Sequence, residues 1–512
     1  MPATADNPPF AAASSALART ARVDPAPAIA FCALFVLVLF LPTILTDTDT
    51  LWQIRTGEWI LDHRAIPAID PFSYTAGGKP WFAHEWLAET LMAVVWRAAG
   101  MAGIMILAAA AMGLTGAIVL RHARRFLPGI YAVLALIVAL SNAAPSLLAR
   151  PHLLAWPCLA LWCAGLANAR AQRVTPSFWL LPVMLIWVNL HGSFIIGLIM
   201  GFALMLEAVC DNPANARRVL SDWTGFLLAA FAVTLLNPDG LSGALFPIQM
   251  IGMKSLVWIG EWQPTDFGRI QPLELMILAG LALGLSGAVR LPPMRWLILL
   301  GLVHGALAHA RNGQLLGLIG ILILAEPLGA SLGRGGASLG LGRGGASLGR
   351  GGASLGPGRG GATRLPPVWR PVATAAAMIA LAAMAARLAL PLDPGLTGEA
   401  FATLVNRVPP AVRATPVLND YSLGGNLIFA GQRPFIDSRA DLYGDAFLTA
   451  YRDIAAAGQM PVIATLTRHD IGWTIFPAGH PIVAILDHMP RWHRLLEAEG
   501  MIIHARDAPP AR

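Results

Sequence analysis

Long apolar runs separated by short, arginine-bearing loops set the pattern of this chain. A helix that crosses a membrane needs about 20 consecutive apolar residues. Eleven runs approach that length, near 28–45, 100–120, 128–147, 153–168, 177–190, 193–210, 223–237, 273–289, 294–309, 313–328 and 371–391. The first follows Arg19 and Arg22 as a signal peptide would. Its apolar core is longer than the roughly 7–15 residues of a signal peptide, and no small-x-small cleavage site follows, so it reads as an uncleaved first helix.

Alternate loops differ in charge. One set carries 17 Lys and Arg, including Arg121/Arg124/Arg125, Arg170/Arg173 and Arg217/Arg218. The other, with much longer loops, carries 8. The positive-inside rule then predicts a cytoplasmic N-terminus and, with eleven crossings, an extracytoplasmic C-terminus. The domains expected are a cytoplasmic tail (1–27), a transmembrane body (28–328) with a long first outer loop (46–99), a Gly/Arg-rich linker (329–370), a last membrane helix (371–391) and an extracytoplasmic domain (392–512). Within the linker a 16-residue unit occurs twice, at 330–345 and 346–361, and so Gly-rich a sequence predicts disorder.

Polar patterning picks out two further regions. The stretch 46–99 mixes Asp, Glu, His, Arg, Gly and Pro, and predicts short amphipathic helices in a functional loop. Beyond 392 the pattern becomes that of a small α/β domain, with strands expected at 416–418, 433–436 and 472–476 and helices at 446–457 and 481–488. The fold class expected is therefore a polytopic α-helical membrane protein with a small C-terminal extracytoplasmic α/β domain.

Composition agrees. Of 512 residues 56% are hydrophobic and 13% charged, with mean hydropathy +0.61. Soluble domains carry about 25% charged residues. The net charge of +7 is spread through loops and builds no basic face, which excludes a nucleic-acid partner. Cys32, Cys158, Cys163 and Cys210 all lie in apolar runs without paired spacing, so neither a disulfide framework nor a zinc site is indicated.

The candidate chemistry lies in the outer loops. Asp47 and Asp49 open the first of them; two carboxylates so placed could supply a general base or hold a divalent cation, Mg or Mn. Trp81, His84, Glu85 and Trp86 follow, setting an imidazole and a carboxylate between aromatic faces suited to sugar rings or to a membrane interface. Arg150, His152, His191, Glu261, Trp262 and Arg311 come from other loops on the same side. Together they predict a shared cavity in which the arginines could bind phosphate or pyrophosphate as a fork. In the C-terminal domain Asp437 and Arg439 read either as ligand-binding residues or as a buried lattice.

The motifs Asp47-x-Asp49-x-Leu51-Trp52, Asp70-Pro71-Phe72-Ser73-Tyr74-Thr75, Trp81-x-x-His84-Glu85-Trp86-Leu87, Arg150-Pro151-His152, Asn189-x-His191-Gly192, Asn237-Pro238-x-Gly240 and Asp437-Ser438-Arg439 resemble a family of bacterial polytopic proteins related to the GT-C glycosyltransferases. The similarity spans nearly the whole chain outside the Gly-rich insert. It implies residence in the bacterial inner membrane and transfer of a sugar from a polyprenyl-phosphate-type donor to an envelope acceptor on the non-cytoplasmic face. It also implies an acidic catalytic residue in the first outer loop, by position Asp47 or Asp49, with Glu85 as second candidate. One departure is Gln53, where the family often has His; were that imidazole a metal ligand, this chain lacks it. Two other function classes remain at this point. A transporter or flippase of a lipid-linked or polar solute predicts polar groups at the midplane and an internal repeat, whereas a non-enzymatic envelope scaffold predicts a C-terminal domain that binds without the acidic residues.

Overall fold

The computed structural model describes residues 24–338 and 369–507 apart from positions 288, 394, 396 and 457. Much of the N-terminal tail and most of the Gly/Arg-rich segment lie outside the described residues.

All eleven apolar runs form helices. They are α1 (Ala26–Leu39), the second half of α3 (Trp86–Ala123), α4 (Gly129–Ala143), α5 (Pro151–Gln172), α6 (Leu181–Leu190), α7 (Phe194–Cys210), α8 (Ala216–Thr234), α10 (Pro272–Leu285), α11 (Pro293–Ala308), α12 (Gly313–Ser338) and α13 (Trp369–Ala389). Hydrocarbon offers no hydrogen-bond partners, and a helix satisfies its backbone internally, which is why runs of this composition take this form. Among the described residues five helices are long and apolar enough to cross a membrane alone: 86–123, 129–146, 151–172, 310–332 and 371–389. A sixth candidate is the pair Phe194–Cys210 and Pro213–Thr234, bent by 104°. The other apolar helices are shorter, because proline and polar residues cut the runs. For example, α1 stops before a 3₁₀ turn at Pro42–Leu45.

The amphipathic helices expected in the segment 46–99 are present, and two further features differ from the sequence expectation. The first outer loop is largely helical: α2 (Asp49–His63) is amphipathic and lies against the first half of α3, which starts at Trp86 and is interrupted at Ala99–Gly100, where Gly100 takes φ +57°. The α2–α3 contact needs a glycine, since a Cβ on Gly57 would sit 1.9 Å from the carbonyl oxygen of Glu89. An additional helix, α9 (Gly240–Ile251), follows the Asn237-Pro238 turn. Finally, α12 runs on to Ser338, past the expected start of the linker.

Ion pairs mark the two ends of the helical body. At one end Glu207 of α7 is buried between Arg170 of α5 and Arg295 of α11, each with a guanidinium nitrogen 3.1 Å from its Oε1. Asp211 and Glu326 extend this cluster to the surface. At the opposite end the loops after α1, before α5 and between α11 and α12 meet beneath the C-terminal domain.

The C-terminal domain contains α14 (Glu399–Asn406), α15 (Pro410–Arg413), β1 (Val417–Asn419), α16 (Gly424–Phe429), α17 (Ala440–Ala455), α18 (Gln459–Arg468), β2 (Trp473–Pro477), α19 (Pro481–Asp487), β3 (Trp492–Ala498) and β4 (Met501–Arg506). The sheet order is β1-β2-β4-β3; β1 pairs with β2 in parallel and the other pairs are antiparallel. The strands expected at 416–418 and 472–476 are present, as are both helices. The strand expected at 433–436 is not: the Asn419 amide oxygen accepts the Phe435 N–H at 2.8 Å, so a side chain replaces a sheet neighbour there. Helix α16 rests directly on the start of α2, where a Cβ on Gly425 would lie 2.3 Å from the Thr48 carbonyl oxygen.

Candidate active site

The turn after α1 presents Asp47 and Asp49 to the start of α5. Asp47 Oδ1 accepts the Asp49 N–H at 2.8 Å, an Asx turn that starts α2 and turns both carboxylates to one side. Arg150, the residue before Pro151, reaches them with one nitrogen: Nη2 lies 2.7 Å from Asp47 Oδ2 and also pairs with Asp49. Its Nη1 lies 3.1 Å from Glu261 Oε2. Arg311 Nη1 lies 3.0 Å from the other oxygen of Glu261, and its guanidinium stacks 4.6 Å from the Trp262 ring centre. Asp49 is also held by the Ser438 hydroxyl of the C-terminal domain, which in turn accepts the Trp52 indole N–H at 3.0 Å. Segments far apart in sequence thus close on one point, with three carboxylates against two guanidinium groups.

A second group sits beside the first. Glu85 Oε1 lies 3.7 Å from His84 Nε2 and 3.5 Å from His191 Nε2, and Gln53 Nε2 donates to its other oxygen at 3.4 Å. The His152 and His191 rings are 6.1 Å apart, and His152 Nε2 is engaged with the Ser146 carbonyl at 2.7 Å. Trp86 donates its indole N–H to Asn189 at 2.8 Å, which fixes the ring at the edge of an apolar groove of about 410 Å³. Leu87, Leu185, Ile186, Leu236 and Pro238 complete that groove.

The charges tune one another. Burial raises the Asp47 carboxyl above its usual range and the neighbouring Asp49 charge adds to this, while Arg150 partly offsets both. Burial likewise raises Glu85, against the pull of His84, Arg150 and Arg311. His191 is pushed well below its usual value, first by burial and then by His152, Arg311, His84 and Arg150. A neutral imidazole beside a carboxylate of raised pKa can pass a proton either way. The carboxylates themselves are poorly placed for a cation, because the Arg150 guanidinium occupies the place between Asp47 and Asp49. Among the described residues no group of three or more His, Cys, Asp or Glu could hold a metal ion. The side chains present therefore do not fit the Mg or Mn expected as one option.

Thus Asp47, Asp49, Arg150, Glu261, Trp262 and Arg311 meet, and His84, Glu85, His152 and His191 adjoin them. Of the two readings of Asp437 and Arg439 the buried lattice holds, and the expectations that they bind substrate and that Trp81 lines a sugar are corrected. Asp437 and Arg439 are not open to a ligand: Arg439 pairs with Asp437 at 2.7 Å and Asp70 at 2.8 Å, and all three are buried. Trp81, only 3% exposed, caps that lattice with its ring centre 4.7 Å from the Arg439 guanidinium, and so cannot line a sugar. The residue that does reach the site from this motif is the one between them, Ser438. The charged neighbours carry the stronger sequence signal, and none in the sequence singles out the hydroxyl between them.

No protein-family profile matches the chain, and no curated protein matches it in sequence. Among solved structures, the crystal structure of ArnT from Cupriavidus metallidurans bound to undecaprenyl phosphate is similar at TM-score 0.50 and 13% identity, covering 93% of this chain and 97% of that chain. At that identity the likeness is one of fold, and it extends over nearly all of both chains. The apolar helices and this likeness agree: the chain is a multi-pass membrane protein whose fold resembles that of ArnT.

Proposed function

We propose that the protein is a membrane glycosyltransferase that moves a sugar from a polyprenyl-phosphate-type donor to an envelope acceptor on the non-cytoplasmic face. The observation that carries this reading is the convergence of Asp47, Asp49, Arg150 and Arg311 at one end of an ArnT-like body. Asp47 is the general base. Its raised pKa makes it a better proton acceptor than an ordinary Asp, and an acceptor hydroxyl beside it would be activated for attack at the sugar's anomeric carbon. The C–O bond to the donor phosphate breaks as the new glycosidic bond forms, and negative charge collects on the departing phosphate. Arg150 and Arg311 face that charge, the kind of fixed electrostatic stabilisation that usually dominates such a step. Asp49 aligns Arg150 and ties the centre to the C-terminal domain through Ser438. Glu85 with His191 is a second proton-handling pair beside it. Trp86 and the groove next to it suit the first isoprene units of a lipid donor, and Trp262 suits a sugar face.

The test is transfer of labelled sugar in membranes from cells making Asp47→Asn or Asp49→Asn. Loss of transfer in Asp47→Asn at unchanged protein level is expected. Full activity in both variants would exclude these carboxylates.

A further inference from the structure

Glu261 is set apart from the other acids of the site by what it touches. Its two carboxylate oxygens are divided between two arginines, Oε2 at 3.1 Å from Arg150 Nη1 and Oε1 at 3.0 Å from Arg311 Nη1. A carboxylate bridging two guanidinium groups through separate oxygens is the geometry in which two arginines hold a phosphate. Arg150 keeps Asp47 and Asp49 whether or not Glu261 is present, but Glu261 is the sole carboxylate paired with Arg311 among the described residues. Glu261 is also the most exposed member of the cluster, with 35% of its side chain accessible against 15% for Arg150. It sits on a short 3₁₀ turn, Gly260–Trp262, whose backbone is secured just after it: the Trp262 carbonyl meets His309 Nδ1 at 2.6 Å, and the Ala310 N–H donates to the Gln263 carbonyl at 2.9 Å. The carboxylate can therefore rotate outward to water without unfolding its turn, leaving Arg311 stacked on Trp262.

We propose that Glu261 is a built-in stand-in for an anionic ligand: its carboxylate occupies a phosphate-binding site formed by Arg150 and Arg311, and a phosphate monoester or diester displaces it. This rests on the transferase reading only for the identity of the phosphate as that of a lipid-linked donor; the anion site stands on geometry alone. In the resting state the carboxylate keeps the guanidinium pair aligned and stops adventitious anions from settling there. A phosphate monoester, with up to two charges and three free oxygens, or a diester, with one charge and two free oxygens, competes for the same two forks.

A resident competitor weakens a ligand by the fraction of time the site is free. Removing it should tighten binding by about tenfold, the effect of ~1.4 kcal/mol of lost competition. The experiment uses the full-length protein in lipid nanodiscs, with inorganic phosphate and a short-chain prenyl phosphate as probes, read by calorimetry at low salt. Glu261→Gln should tighten both probes about tenfold, and Arg311→Gln should lose that gain. Glu261→Asp keeps the charge but is one methylene too short to bridge both arginines, and should also tighten binding. If Glu261→Asp binds as wild type does while Glu261→Gln binds tighter, Glu261 acts only through its charge and the stand-in is overturned. Unchanged or weaker binding in Glu261→Gln overturns it as well. Tighter binding without any sugar transfer would uphold the anion site and remove the transferase reading instead.

Discussion

Arg150 and Arg439 each bridge acidic side chains from distant parts of the chain, yet they serve different ends. Arg439 is enclosed. Asp70 and Asp437 lie at 2.8 and 2.7 Å, Tyr443 donates its hydroxyl to Asp437 at 2.9 Å, and Trp81, Phe72 and Trp52 surround the guanidinium. Each guanidinium nitrogen of Arg439 has an internal carboxylate partner, and burial closes the group to water. Arg150 holds three carboxylates but remains partly open to water, and its Nε has no hydrogen-bond partner. The two arrangements use the same chemistry with different access. Burial turns a charge cluster into a fastener between the first outer loop and the C-terminal domain; partial exposure leaves its counterpart able to trade partners.

The largest expected effect breaks the fastener. Arg439→Ala leaves two buried carboxylates uncompensated, a loss of about 3–5 kcal/mol. Thermal unfolding in detergent should show a large fall in Tm, or the protein should not accumulate; a near-normal Tm would show the lattice to be dispensable. Arg150→Gln should do the reverse, lowering sugar transfer by about 10²-fold or more, as loss of a charge-stabilising donor does, while Tm moves far less than in Arg439→Ala.

The pH dependences should separate too. Burial alone would raise Asp70, but the Arg439 charge with hydrogen bonds from Ser73 and Phe72 outweighs it and holds this carboxyl below its usual range. Its folded pKa is depressed, so its contribution to stability is present above the unfolded value of about 3.9 and is lost as pH falls through the lower folded value. Asp47 is raised, so it gains a proton at a higher pH, and as a base it is then silent. Transfer activity should therefore fall, as the medium is acidified, at a pH where tryptophan fluorescence still reports a folded protein. Coincident loss of both would undo the distinction. The smallest effect is expected from Ser438→Ala, which removes the hydroxyl joining Asp49 to Trp52: about 1 kcal/mol of stability, with a measurable fall in kcat.

Much of the body was legible because the bilayer leaves few alternatives. Apolar runs became helices. Boundaries were less so: Gly57 and Gly425 carry no polar signal, yet they set how closely α2 approaches α3 and α16. In the site, Asp47, Asp49, Arg150 and Arg311 stood out by type and position. Their pairing did not, because Glu261 and Ser438 reach them from 111 residues beyond Arg150 and 389 residues beyond Asp49. For Asp437-Ser438-Arg439 the sequence left ligand binding and a buried lattice open, and the lattice prevails for a physical reason. Charged residues attract attention as ligand binders, but a charge paired on all sides in a dry setting is spent on holding structure, and the uncharged neighbour is left free to point elsewhere.

The Asp49–Ser438 contact has a consequence in time. At about 5–20 residues per second of synthesis, the first loop waits roughly 20–80 s for the segment that closes it. For that interval Asp49 stands without the hydroxyl that later holds it, and any earlier neutralisation must come from Arg150, which emerges about 100 residues after it. The order of translation therefore sets the order of contacts: the arginine reaches the acids first, and the Ser438 hydroxyl reaches Asp49 last.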